Sequence, residues 1–178
     1  MPKPMRRKPM VLFVDDEKYV HGYEREIAKR LGLRARHAFS PAEAEPVFWR
    51  RINAIDRLSE KKLAQLKKTK DSGQRKLLQR QLLFLTRLKR KPFSLIVSDI
   101  NMPRGIPTGF DFASGLKESF PGQKILMHSD DTHFMDLLNQ RQGIQFSPKR
   151  GYTKKGRPKK PTRRLAKAIE SQIKKKRE

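Results

Sequence analysis

Apolar residues fall along the chain in short runs separated by amphipathic stretches. Met10–Val14, MVLFV, is a run of five that ends at Asp15 and Asp16. From Glu17 to Leu31 the apolar positions Val20, Tyr23, Ile27 and Leu31 recur at spacings of three and four, the period of a helix with one buried face, and Gly32 marks its stop. Leu33–Phe39 reads as a second, weaker strand. Ser40–Pro41 is a helix start, with serine as the cap, proline in the first turn and Glu43 near the positive end of the helix dipole. The segment SLIVSDINMP, Ser94–Pro103, holds the third run, Leu95–Val97, and stops at Asp99. A helix over Phe110–Ser119, a fourth strand over Lys124–His128, a helix over Asp130–Gln142 and a fifth strand over Ile144–Ser147 follow. Leu165, Ala168, Ile169 and Ile173 mark a final helix. Strands alternating with helices predict a parallel sheet covered on both faces.

Right-handed crossovers leave few topologies for such a sheet, and the flavodoxin-like order 2-1-3-4-5 is the expectation. One stretch departs from the alternation. Trp49–Pro92 is long, polar and without a strand pattern. Ile52, Ile55, Leu58, Leu63 and Leu66 keep helical spacing, Lys70–Gly73 breaks it, and Leu77, Leu78, Leu82, Leu85 and Leu88 resume it. This predicts an inserted antiparallel helical hairpin at about 50–91, turning at Asp71–Gly73 and packed on its leucine seams. The domain is expected to span 10–149 with that hairpin inside it, and 150–178 to form a basic loop and a final helix or tail.

Charge changes the picture next. The net charge of +25 is uneven. Residues 50–91 carry +12, residues 149–178 carry another +12, and all the rest sums to +1. A nearly neutral body with two strongly basic blocks suits polyanionic partners, nucleic acid first. The chain has no cysteine, which excludes a disulfide framework, a thiolate zinc site and a thiol nucleophile. No apolar run is long enough to span a bilayer. The basic start MPKPMRRKPMVLFV has too short an apolar part for a signal peptide, so a cytoplasmic protein is the expectation.

The candidate chemistry is acidic. Asp15 and Asp16 follow the first predicted strand and Asp99 the third. If those strands are neighbours, three carboxylates meet at the carboxyl edge of the sheet, where open α/β folds place their sites. Like charges so close call for a cation, and an oxygen-only donor set suits Mg²⁺. A carboxylate beside Mg²⁺ is a competent nucleophile toward phosphorus.

On these residues the chain resembles the receiver domain of bacterial two-component response regulators, over 10–49 and 93–149. Asp15–Asp16 match the family's acidic pair, Asp99 its phosphoacceptor, and DINMP the segment after it. The resemblance implies a (βα)5 receiver fold and a phosphoryl group accepted on Asp99 from a sensor histidine kinase or phosphotransfer protein. It further implies Mg²⁺ held by Asp15, Asp16, Asp99 and the backbone of Asn101. Ser129 takes the position of the family's phosphoryl-contacting hydroxyl, Lys149 that of its phosphate-pairing lysine, and Phe146 that of its aromatic switch. The protein would be a phosphoacceptor switch and not an enzyme. The sequence also departs from the family. Pro148 precedes Lys149 instead of following it, which leaves Lys154 as a rival. Asp130 stands where the family has a small residue. The loop from Pro103 to Gly109 is longer than the family's, and the 50–91 insert is foreign to it.

An isolated Asp-Asp after a strand is more often a helix cap than a metal site. Here Asp99, Ser129 and Lys149 stand in matching order with it. His128-Ser-Asp-Asp-Thr-His133 fits no standard ligand spacing, and a buried structural histidine is the better reading of His128. The segment KKGRPKKP, Lys154–Pro161, resembles an AT-hook, which implies nucleic-acid contacts from Lys155, Arg157, Lys159 and Lys160; a flexible charged linker accounts for the same residues equally well. A constitutive nucleic-acid-associated protein on a receiver-like scaffold is the alternative function. A haloacid-type phosphatase needs a second Asp two residues after the nucleophile, and Asn101 stands there.

Overall fold

The structure is a computed structural model that describes residues 8–100, 108–129, 144–148 and 162–174. Its centre is β1, Met10–Val14, buried at every position. A strand can be apolar without alternation only when both its faces are covered. β1 lies between β2 (Arg34–Ala38) and β3 (Leu95–Ser98), and β4 (Ile125–Ser129) and β5 (Ile144–Pro148) complete a parallel sheet of order β2-β1-β3-β4-β5. The expected order is the one found.

Strand alternation divides the core in two. Leu12, Ile96, Ile125 and Ile144 stand in register across four strands and pack on one face against α2 (Pro41–Lys68) and α4 (Gly109–Ser119), through Ala44, Phe48, Ile52 and Ala113. Phe13, Val97 and Leu126 point the other way, onto α1 (Lys18–Arg30) and α5 (Thr162–Lys174). Each such side chain contributes roughly 1.5–3 kcal/mol by leaving water.

Local signals set the helix ends. α1 stops where Gly32 takes φ 65°, with Leu33 N–H bonded to Ala28 O and Gly32 N–H to Lys29 O. That pair of bonds is a Schellman cap, and its left-handed residue favours glycine. At the start of α2, Ser40 Oγ accepts from Glu43 N–H at 3.2 Å.

Three expectations change. The first arm of the basic stretch is not a separate helix. α2 runs unbroken for 28 residues from Pro41 to Lys68, because Pro46 lies near its start on the exposed side and costs one hydrogen bond without ending it. The break comes at Thr69–Lys70, and Asp71 caps α3 (Ser72–Arg90) by accepting from Gln74 N–H, so Ser72 and Gly73 are already helical. The two helices run antiparallel, tied by Lys89–Asp56 at 2.7 Å and by Arg75 to the carbonyls of Leu66 and Thr69. Their seam is narrower than the leucine pattern implies. Ile52, Ile55, Leu78 and Leu85 are buried, whereas Leu58, Leu63 and Leu77 are exposed. The final helix, α5, packs on the domain body. Leu165, Ala166 and Ile169 of α5 lie in the same core cluster as Val11, Phe13 and Ile27.

Candidate functional site

The parallel register pairs Val14 with Ser98. The next residue of each strand is a carboxylate, so Asp15 and Asp99 leave the sheet side by side, one interstrand spacing apart. Asp15 N–H donates to Ala38 O at 3.1 Å and Asp99 N–H to Val14 O at 2.8 Å, which extends the ladder past both strand ends and holds both backbones. Asp15 is 2% exposed and Asp99 5%, while Asp16 is half-buried. Carboxylate oxygens of all three lie within 4.8 Å of one another. Asp15 Oδ1 also accepts from Glu17 N–H at 2.9 Å, so the side chain fixes the turn into α1 as well as facing the acidic cluster.

Ser129, fully buried, is the last residue of β4, the strand beside β3. Phe146 pairs with Met127 in β5 and packs, half-buried, against the α2/α4 core. His128 Nδ1 donates to Ser147 O at 2.9 Å from a buried position, which makes it a structural tie between β4 and β5. Asn101, Asp130, His133, Lys149, Lys154, Lys155, Arg157, Lys159 and Lys160 lie outside the described residues. The donor set is chemically suited to a hard cation, being three carboxylates with no imidazole or thiolate.

Sequence reasoning passed over two features. The first is Gly109, the first residue of α4. A Cβ built there would lie far inside van der Waals contact with the Asp99 carbonyl oxygen, 2.8 Å from the Asp99 carbonyl carbon and 2.9 Å from Ser98 Oγ. Only glycine lets α4 begin against the backbone of Asp99. Thr108 holds that start by a capping box with Asp111. Nothing in the run TGF marks the approach.

The second feature is a buried polar trio on the α1 face. His21 and Glu24 of α1 meet His37 of β2. His21 Nδ1 is 2.7 Å from Glu24 Oε2, His37 Nδ1 is 3.2 Å from the same oxygen, and the two Nδ1 atoms are 2.9 Å apart. Burial pushes the Glu24 carboxyl up, but hydrogen bonds and charge from both imidazoles outweigh it and hold it below the ordinary carboxylate value. The spacing of His21 and Glu24, three apart on one helix, was the available signal; the partner on β2 was not visible.

No protein-family model matches the sequence, and no curated protein is similar to it. Solved structures are similar in shape. A response regulator receiver domain protein from Clostridium thermocellum is 15% identical with a TM-score of 0.56, covering 94% of this chain and 96% of its own. The chemotaxis protein CheY4 of Vibrio cholerae is 18% identical with a TM-score of 0.53, covering 92% and 98%. The response regulator TrrA of Thermotoga maritima, in complex with Mg²⁺ and BeF, is 16% identical with a TM-score of 0.53 over the same shares. The five-stranded parallel sheet in order β2-β1-β3-β4-β5, with helices on both faces, is thus the fold that this chain shares with response-regulator receiver domains.

Proposed function

We propose that the chain is a phosphoacceptor switch working in the cytoplasm. Asp99 would take a phosphoryl group from a histidine kinase or a phosphotransfer protein. The observation that carries this reading is the convergence of Asp15, Asp16 and Asp99 within 4.8 Å at the carboxyl ends of adjacent strands. In the reaction an Asp99 carboxylate oxygen forms a bond to phosphorus while the P–N bond of phosphohistidine breaks, and the departing imidazole takes up a proton. Asp15 and Asp16, with the backbone of Asn101, are the residues that would hold Mg²⁺ beside Asp99. The ion would supply charge neutralisation at the phosphoryl oxygens. Ser129 would offer its hydroxyl to the new phosphoryl group, Lys149 its ammonium, and Phe146 would repack as Ser129 moves. The geometry fits a switch because Phe146 sits at the border of the core, neither locked inside nor free.

Acetyl phosphate with Mg²⁺ tests this directly. Intact mass should rise by one phosphoryl group, and Asp99→Asn should abolish the adduct. A full-length chain that takes up no phosphoryl group under these conditions, and does not bind beryllofluoride, refutes the switch.

A second reading has its own support. Arg34 and Arg36 of β2 and Arg50 and Arg51 of α2 line a groove of about 400 Å³ beside the basic α2–α3 pair, a surface suited to a phosphate backbone. On this reading the chain is a constitutive nucleic-acid-associated protein that uses the fold as scaffold. Binding to DNA or RNA would then fall steeply with salt, lose slope when Lys155, Arg157, Lys159 and Lys160 are changed to glutamine, and be indifferent to Asp99→Asn. Salt-insensitive, weak binding removes it.

A further inference from the structure

The His21–Glu24–His37 trio shares no residue with the acidic site and takes no part in the proposed phosphoryl chemistry. Its rings are held by packing. His37 stacks on Phe13 with centroids 5.3 Å apart, and His21 stands edge-on to His37 and to Phe39. His21 is 1% exposed and the His37 side chain 13%, so the trio is closed except beside His37.

Protons alone do not satisfy these contacts. If both Nδ1 atoms carry hydrogens, two N–H groups 2.9 Å apart compete for one carboxylate oxygen. If one Nδ1 gives up its hydrogen to accept from the other, the displaced N–H sits on Nε2. The bare Nδ1 then faces the Glu24 carboxylate oxygen lone pair to lone pair, at 2.7 or 3.2 Å. A cation at the point of convergence accepts all three lone pairs at once.

From this we infer that His21 Nδ1, Glu24 Oε2 and His37 Nδ1 form a second metal site, for a first-row divalent transition-metal ion. Two imidazoles select against Mg²⁺ and Ca²⁺, which prefer all-oxygen shells. The triangle has the right size. An ion about 2.1 Å from each atom, the usual bond length to imidazole and carboxylate, would stand about 1 Å out of their plane with angles between ligands of about 80–100°. Those angles belong to three adjacent corners of an octahedron, leaving further positions for water. The ion would join the first turns of α1 to the end of the edge strand β2, just after the loop that carries Asp15 and Asp16. Ligation through Nδ1 puts a hydrogen on each Nε2, and neither has an acceptor. Because such outer partners raise affinity about 10–100-fold, binding should be weaker than at a site that has them.

The test uses the metal-stripped full chain in excess Mg²⁺, added to fill the acidic site of the proposed function. Zn²⁺ is titrated by calorimetry, and Co²⁺ by its visible absorption. One equivalent of each should bind, and Co²⁺ should give the ligand-field bands of a nitrogen and oxygen shell. His37→Gln and Glu24→Gln should each weaken binding at least about 10-fold, whereas His133→Asn and Asp99→Asn should leave it unchanged. His37→Gln, at the less buried ligand, keeps the test meaningful should Glu24→Gln not fold. No stoichiometric binding, or binding that survives His37→Gln, or binding lost instead in His133→Asn or Asp99→Asn, overturns the site.

Discussion

Two glycines of one helix, given the same substitution, should respond with opposite signs. At Gly109, the first residue of α4, an added Cβ would overlap the Asp99 carbonyl oxygen and come within 2.9 Å of Ser98 Oγ. Two of the three nearest atoms are backbone, so no rotamer change relieves the contact. Either α4 withdraws from the end of β3 or the Asp99 peptide turns, in both cases by roughly 1.5 Å. Overpacking of this kind costs roughly 1–3 kcal/mol, which for a chain of this size lowers Tm by about 2–4 °C per kcal/mol. At Gly115, exposed on the same helix, a Cβ meets no atom within 4 Å. There alanine removes only the entropy that glycine loses in a helix, and the change should stabilise by about 0.5–1 kcal/mol. Thermal and urea unfolding of Gly109→Ala and Gly115→Ala measure both effects. The displaced backbone belongs to the residue proposed to accept phosphate, so Gly109→Ala should also slow acetyl phosphate labelling by up to about 10²-fold, the cost of an ångström of misplacement at a reacting group. Gly115→Ala should label at the wild-type rate. A Gly109→Ala protein that is as stable as wild type and labels as fast would refute the close approach and the reasoning built on it.

The basic helical pair gives a second contrast. Leu85→Ala, in the buried seam, should cost about 2–5 kcal/mol, while Leu77→Ala, 55% exposed one face away, should stay within about 0.5 kcal/mol; equal effects in chemical denaturation would remove the seam as drawn. Ile169→Ala should also cost about 2–5 kcal/mol, because α5 closes the core beside Phe13 and Leu126; a near-neutral result would make α5 an appendage. Glu24 sets a pH dependence in the metal-free chain. Its carboxyl is lowered on folding from an ordinary value of 4.5, so its contribution to stability is fully present above that value and is lost as pH falls through the folded one. The stability difference between wild type and Glu24→Gln, read by urea unfolding, should therefore shrink as pH drops below about 4.5; a constant difference refutes it.

Much of the architecture was legible in local pattern. Met10–Val14 is apolar at five consecutive positions because both faces of a central parallel strand are covered, and such a run can be read without knowing its neighbours. Ser40–Pro41 and Gly32 punctuate helices through bonds made within a few residues. Asp15, Asp16 and Asp99 were legible for a further reason. Carboxylates follow both the first and the third apolar run, and a strand order that makes those two neighbours brings the three together.

Properties that depend on atoms distant in sequence were not legible. Leu58, Leu63 and Leu77 obey the helical period as well as Leu78 and Leu85 do, but only contact between α2 and α3 decides which of them is covered. Gly109 is a glycine on account of a carbonyl ten residues away, and His37 finds His21 and Glu24 only because β2 lies along α1. The spacing of Leu165, Ala168, Ile169 and Ile173 marks a final helix, but that this helix lies against Phe13 and Leu126 depends on the folded sheet. Periodicity and caps are short-range effects that the sequence by itself determines. Close approach, seam width and convergence of side chains belong to the packed chain, and here they decided where α4 begins, what α5 does, and which histidines meet.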